Sequence, residues 1–289
     1  MKRIMTIQDI SCVGKCSLTV ALPIISAMGV ETAVIPTAVF STHTMFTGYT
    51  CTDLTDQIRP IAEHWKKEHF TFEAIYTGYL GSFEQISLSG QLMDEFKRGD
   101  DTLIFVDPVM ADNGSLYPGF DMAYAQEMKK LCSRADMIVP NLTEASLLTG
   151  LPYRTDCDEA YYQEMIRALS QLGPKYVILT GVSSAPGRVG ALGMETATGE
   201  TFRYETERQP MDYHGTGDIF SSTLLGAMMN DLSLSDALAI ACEYTARTIA
   251  VTIADPTSHN YGVNFESTLP WLMEQLKKRP ARRASDMIL

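Results

Sequence analysis

Positive charge is in short supply: 23 Lys and Arg stand against 35 Asp and Glu, a formal net charge of −12. That balance disfavours nucleic acid or an anionic membrane as a partner. A bound phosphate must then be held by metal ions, backbone amides and a few local cations. The one basic cluster, Lys277-Lys278-Arg279 through Arg282-Arg283, reads as a helix C-terminus and a solvated tail. Paired cysteines are also lacking. The six Cys lie at 12, 16, 51, 132, 157 and 242, only Cys12 and Cys16 are close, and no second pair gives zinc spacing. They read as reduced thiols of a cytoplasmic protein. No signal-type apolar core follows Met1-Lys2-Arg3. No run approaches a membrane-spanning length of apolar residues. G-x-x-x-x-G-K-[ST] is absent, which excludes a P-loop enzyme. Gln8 to Gly14 carries one glycine, and Gly187-Arg188-Val189-Gly190 precedes a strand, so neither is a dinucleotide fingerprint. No G-x-S-x-G elbow marks a hydrolase.

What is present is a regular alternation of short apolar runs and amphipathic segments over 289 residues, with 45% hydrophobic content. Strands are predicted at 4–7, 33–36, 74–76, 103–106, 137–139 and 176–179, with a hairpin from 189–194 and 200–204. Helices are predicted at 18–28, 54–67, 85–97, 122–131, 144–148, 159–172, 218–229, 234–253 and 269–278. Strands separated by helices imply βαβ units and a mostly parallel sheet, and continuous apolar strands imply burial on both faces. With no linker, repeat or low-complexity run, residues 1–289 read as one α/β domain. Ligands in such sheets bind beyond the strands' carboxyl ends. Polar residues there are Asp9, Thr44, Tyr79, Asp107, Asp112, Asn141, Glu144 and Thr180.

The most informative run is Gly215-Thr216-Gly217-Asp218, at the mouth of an apolar helical segment. Glycines allow a tight turn and close approach of a ligand. Free amides and the helix dipole attract phosphate. A carboxylate at the same place should repel that phosphate, unless it faces a second substrate and takes a proton from its hydroxyl. The plainer alternative is a glycine turn with an Asp N-cap. A free aspartate titrates near about 3.9, so Asp218 is expected to be ionised and weakly basic at neutral pH. Asp107-Pro108-Val109-Met110-Ala111-Asp112 and Asn141-Leu142-Thr143-Glu144 follow successive strands. They could position Mg²⁺ through its waters. Asn141 and Glu144 equally suit a polar helix cap. Phe40-Ser41-Thr42-His43-Thr44 links a strand to a helix, so His43 is either a satisfied buried histidine or part of a loop meeting the acceptor with Thr44. His214 is expected in a loop, within reach of a phosphate when charged.

Taken together these runs resemble the ribokinase-like superfamily, in its pyridoxal kinase branch. The resemblance is carried by Ile7-Gln8, Gly14, the segment from Pro23 to Gly29, Phe40-Ser41-x-His43-Thr44, Thr77-Gly78-Tyr79-Leu80-Gly81-Ser82, Asp107-Pro108-Val109, Pro140-Asn141-x-x-Glu144 and Gly215-Thr216-Gly217-Asp218. It implies a three-layer α/β/α fold around a mostly parallel sheet. The implied activity is transfer of the γ-phosphoryl group of ATP to the 5′-hydroxymethyl of pyridoxal, pyridoxine or pyridoxamine. Asp218 would be the general base, and amides of Gly215, Thr216 and Gly217 the anion hole. Asp107, Asn141 and Glu144 would organise Mg²⁺–ATP, with Thr180 near the phosphates. Thr44 and Tyr79 would meet the pyridine ring, and residues 183–190 would form a flap over the nucleotide. A monovalent cation such as K⁺ and a homodimer are also implied. One departure stands out: many members carry a serine after Ile-Gln, and here the residue is Asp9. That opens the vitamer preference and admits a neighbouring activity, phosphorylation of hydroxymethylpyrimidine.

Overall fold

The structure is a computed structural model and describes residues 1–279. Arg282 and Arg283, part of the expected basic tail, lie outside the described residues. In chain order the elements are β1 (Arg3–Ser11), α1 (Leu18–Ala27), β2 (Glu31–Phe40), β3 (Cys51–Asp53), α2 (Thr55–Lys67), β4 (Ala74–Thr77) and α3 (Phe83–Phe96). Then come β5 (Leu103–Val106), β6 (Ala111–Asp112), β7 (Ser115–Leu116), α4 (Met122–Cys132), β8 (Met137–Ile138), α5 (Leu142–Thr149) and α6 (Glu159–Ser170). The chain continues through β9 (Tyr176–Val182), β10 (Arg188–Glu195), β11 (Glu200–Glu207), α7 (Thr216–Met229), α8 (Leu234–Ala254) and α9 (Leu269–Lys278).

Nine strands form one sheet in the order β11-β10-β9-β8-β5-β4-β1-β2-β3. Pairings from β2 through β9 are parallel, while β3, β10 and β11 pair antiparallel at the margins. Successive residues of a strand point to opposite faces, so each central strand feeds two cores. Met5, Ile75, Ile104, Ile138 and Val177 pack under α2 to α6. Ile4, Tyr76, Phe105, Met137 and Ile178 pack under α1, α7, α8 and α9. The result is the three-layer α/β/α sandwich that the sequence implies.

β1 and β2 run further than their apolar cores. Gln8 is buried in β1 because its amide donates to the Thr6 hydroxyl at 2.9 Å. Pro36 sits in β2 before pairing with β3 begins at Ala38, so its missing N–H faces an open edge. β3 and the two-residue strands β6 and β7 have no sequence signal. α8 differs from expectation: by length and composition it is apolar enough to cross a bilayer. Half of its apolar stretch is buried in this fold, where it lies against α7 and β11.

Candidate active site

The chain reverses its direction of growth at β1. From there β2 is added on one side, and β4, β5, β8 and β9 on the other. Beyond the carboxyl ends of β5, β8 and β9, the start of α7 closes a cavity of about 320 Å³. Asp107, Asn141, Glu144, Thr180, Gly215, Thr216, Gly217 and Asp218 all line it. Val189, Phe220, Ala246 and Ile249 add apolar surface to its wall. Five carboxylates face the space, those of Asp107, Glu144, Glu207, Asp212 and Asp218, and no Lys or Arg among the described residues lines it.

The glycine turn is dictated by sterics. Gly215 has φ 78, and a Cβ there would stand 1.8 Å from the Lys15 carbonyl oxygen. A Cβ on Gly217 would meet nothing within 4 Å. The first turn of α7, whose amides lack intrahelical partners, lines the cavity with Gly215, Thr216, Gly217 and Asp218. Asp218 does not cap its own helix, which rules out the plain N-cap reading. The cap position is Gly215, and Asp218 Oδ2 accepts the backbone N–H of Ser17 at 2.9 Å. Ser17 holds that amide in place from a left-handed backbone, φ 49.

Asp218 keeps one edge open to the cavity and is enclosed by protein elsewhere. Loss of water raises its carboxyl to about 7; the Ser17 N–H partly offsets this, and the negative charge of Asp9 adds to it. The expectation of an ordinary aspartate pKa is thus corrected: enclosure, which sequence does not reveal, makes Asp218 a stronger base than a free carboxylate. Asp107 and Glu144 are buried, and burial raises both, with mutual repulsion adding to the effect on Glu144. Asp107 Oδ2 accepts the Ser221 hydroxyl at 2.7 Å.

Asn141 and Glu144 do cap a helix. The Asn141 side chain accepts the amides of Thr143 and Glu144, at 2.8 and 3.0 Å, while Glu144 Oε2 accepts the Asn141 N–H at 2.9 Å. Glu144 Oε1 also accepts the Met110 N–H at 3.1 Å, tying the loop after β5 to α5. The same two residues line the cavity, so capping and ligand positioning coexist. Thr180 joins Asn141 in an isolated parallel bridge. Asp112 stands apart: it is exposed, its carboxylate accepts the Asn113 amide at 2.8 Å, and it does not line the cavity. Residues 183–187 form the turn between β9 and β10, beside the cavity-lining Gly181 and Val189.

The remaining residues named from sequence, Asp9, His43, Thr44, Tyr79 and His214, do not line this cavity. The His43 and His214 rings pack 4.5 Å apart. Burial, with His214 adding to it, lowers His43 to about 4, so it is neutral at pH 7. Its Nδ1 accepts the Met45 amide at 3.0 Å. Thr44 is exposed on the same loop. Tyr79 stacks on Phe120 with centroids 5.6 Å apart. Burial and the charge of Asp9 push its hydroxyl up to about 12. Asp9 is buried at a bulge, where Thr37 and Ala38 of β2 stand against it between the pairs Gln8–Pro36 and Ile10–Val39.

Sequence reasoning missed Ser17, Ser221 and Phe120. Ser221 lies three residues after Asp218, a spacing that puts both on one helix face. Nothing in the sequence marks the Ser17 amide.

Oxygen donors without fixed cations suit a hard divalent ion that arrives with phosphate and retains water. Among the described residues no three His, Cys, Asp or Glu converge into a self-sufficient metal site. Asp107 and Glu144 thus fit Mg²⁺ through water rather than as a closed cage.

A model of the phosphomethylpyrimidine kinase family matches residues 22–264. A putative phosphomethylpyrimidine kinase from Bacteroides thetaiotaomicron VPI-5482, solved with pyridoxal, is 38% identical with a TM-score of 0.89, covering 98% of both chains. A pyridoxal kinase from Lactobacillus plantarum is 30% identical with a TM-score of 0.88, covering 96% of this chain and 99% of that one. The pyridoxal kinase of Dictyostelium discoideum is 26% identical over 84% of each chain.

Proposed function

The chain belongs to the phosphomethylpyrimidine kinase family, within the pyridoxal kinase branch of the ribokinase-like fold, and on that premise we propose that it is an ATP-dependent kinase of vitamin B6. It transfers the γ-phosphoryl group of ATP to the 5′-hydroxymethyl of pyridoxal, pyridoxine or pyridoxamine, yielding the 5′-phosphate and ADP. The observation that carries this is Asp218 at the mouth of a glycine-opened helix start, inside a cavity whose charged lining groups among the described residues are all carboxylates.

In this reading Asp218 accepts the proton of the alcohol as its oxygen bonds to the γ-phosphorus. The bond from that phosphorus to the bridging oxygen breaks, and ADP leaves. The amides of Gly215, Thr216 and Gly217 receive the charge that builds on the transferring group. Asp107 and Glu144 would hold Mg²⁺, which would supply the positive charge the cavity lacks. Asn141 and Thr180 flank the phosphates, and residues 183–190 cover the nucleotide. Asp112, exposed beside this region, would act only if the loop moves. Asp9, His43, Thr44 and Tyr79 form the acceptor side. A neutral His43 suits a hydrogen-bonding role rather than a charged one. Aligning two substrates removes roughly 7–11 kcal/mol of barrier, more than a single base supplies.

A K⁺-type monovalent cation and a homodimer are proposed on the resemblance alone. Cytoplasmic residence rests on six free thiols. The second reading, hydroxymethylpyrimidine phosphorylation, is favoured by the matching family model. A coupled ADP-release assay separates the two: turnover on B6 vitamers well above that on hydroxymethylpyrimidine is expected, and the reverse order would replace this reading with the second.

A further inference from the structure

Lys15, in the loop between β1 and α1, touches three parts of the fold at once. Its Nζ donates to Asn264 Oδ1 at 3.0 Å and to Glu266 Oε2 at 2.9 Å, and stands 5.9 Å from the centre of the Phe265 ring. Its main chain is squeezed between two glycines. A Cβ on Gly215 would stand 1.8 Å from the Lys15 carbonyl oxygen, and a Cβ on Gly262 would stand 2.4 Å from the Lys15 Cβ. Two residues on, the Ser17 N–H reaches Asp218 Oδ2 at 2.9 Å. Thr19 braces the segment between, its hydroxyl lying 2.9 Å from the Gly14 carbonyl oxygen and 2.8 Å from that of Cys16.

The acceptors that hold Lys15 are themselves fixed. The Asn264 N–H donates to Thr252 Oγ1 at 2.7 Å, and its side-chain amide donates to Asp255 Oδ2 at 2.9 Å. The Phe265 carbonyl accepts the buried Tyr244 hydroxyl at 3.0 Å. α8 and the residue after it thus present Asn264 as an anchored post. Glu266 adds less: its side chain is 55% exposed against 21% for Lys15, and water screens such a pair. A surface ion pair alone would need neither the two glycines nor the anchored Asn264. Lys15 does not line the cavity, so its amine does not act on phosphate from where it stands. What it sets is the path of residues 14–17. That path carries the amide that holds Asp218 and the carbonyl that backs Gly215.

We propose that Lys15 is a positioning residue for phosphoryl transfer: with its ammonium anchored on the loop after α8, it holds the main chain that aims Asp218 and backs the glycine turn. This rests on the kinase reading of the site, in which Asp218 is the base.

The test compares the wild type with Lys15→Met, Asn264→Ala and the double variant. Lys15→Met keeps an apolar stem against Gly262 and removes the donors. Turnover of pyridoxine with ATP, melting temperature and the amide NMR spectrum of the ligand-free protein are measured. In each single variant kcat should fall at least ~5-fold, within the scale of a lost hydrogen bond to a charged group, while KM for pyridoxine and for ATP stays within ~2-fold. The double variant should be no slower than the slower single one, because both remove the same interaction. The Ser17 amide proton resonance should shift toward its position in Asp218→Asn. Near wild-type kcat in a folded single variant, losses that multiply in the double variant, or an unmoved Ser17 resonance overturns the inference. So does failure of both single variants to fold, which would make the junction purely structural. A wild type that turns over no vitamer removes the kinase reading instead, and the Ser17 resonance then still decides whether Lys15 sets that amide.

Discussion

Ser221 donates its hydroxyl to Asp107 Oδ2 at 2.7 Å, tying the second turn of α7 to the end of β5. The bond holds a cavity-lining carboxylate through the same helix that carries Asp218. Ser221→Ala leaves the buried Asp107 oxygen without this donor, a loss of about 1–3 kcal/mol. We expect a lowered melting temperature and a several-fold rise in the Mg²⁺ concentration needed for half-maximal turnover. A Mg²⁺ titration identical to the wild type would detach Asp107 from the ion.

The two glycines of the turn should respond differently to one methyl group. At Gly215 it collides with the Lys15 carbonyl on a left-handed backbone. At Gly217 it meets open space. Gly215→Ala is expected to lose at least ~2 kcal/mol of stability, and Gly217→Ala less than ~0.5 kcal/mol. Chemical denaturation of both variants tests this ordering.

Burial raises the carboxyls of Asp218, Asp107 and Glu144, with Asp218 reaching about 7. A group whose folded pKa exceeds its unfolded value binds protons more tightly when folded. Its contribution to stability is therefore full below the unfolded pKa and is lost as pH rises through the folded one. The ligand-free protein should lose stability from these groups between about pH 4 and pH 7. Mg²⁺, which favours the ionised forms, should raise the melting temperature more at pH 8 than at pH 5. Equal stabilisation at both pH values would contradict these shifts.

The sandwich was legible because central parallel strands are short apolar runs. Residues such as Ile75 and Tyr76 each feed a different face. Polar residues hid the full length of β1 and β2, since the pairing of Gln8 with Thr6 and the open edge at Pro36 are tertiary facts. β3, exposed throughout and three residues long, carries no pattern. At the site, the glycine turn and the strand-end carboxylates were readable because their chemistry is unusual for plain structure. The Ser17 amide was not readable, since any residue carries an N–H. Nor was the raised Asp218 carboxyl, which depends on what encloses it.

In the proposed reaction the Asp218 carboxylate stands between the terminal phosphorus of a nucleotide and an incoming primary alcohol. Its most direct test is single-turnover phosphoryl transfer by Asp218→Asn, alongside ATP binding by the same protein. ATP affinity should stay close to wild type and transfer should slow by at least ~100-fold, the usual scale of a general base. Transfer at near wild-type rate in a variant that binds ATP normally would contradict it.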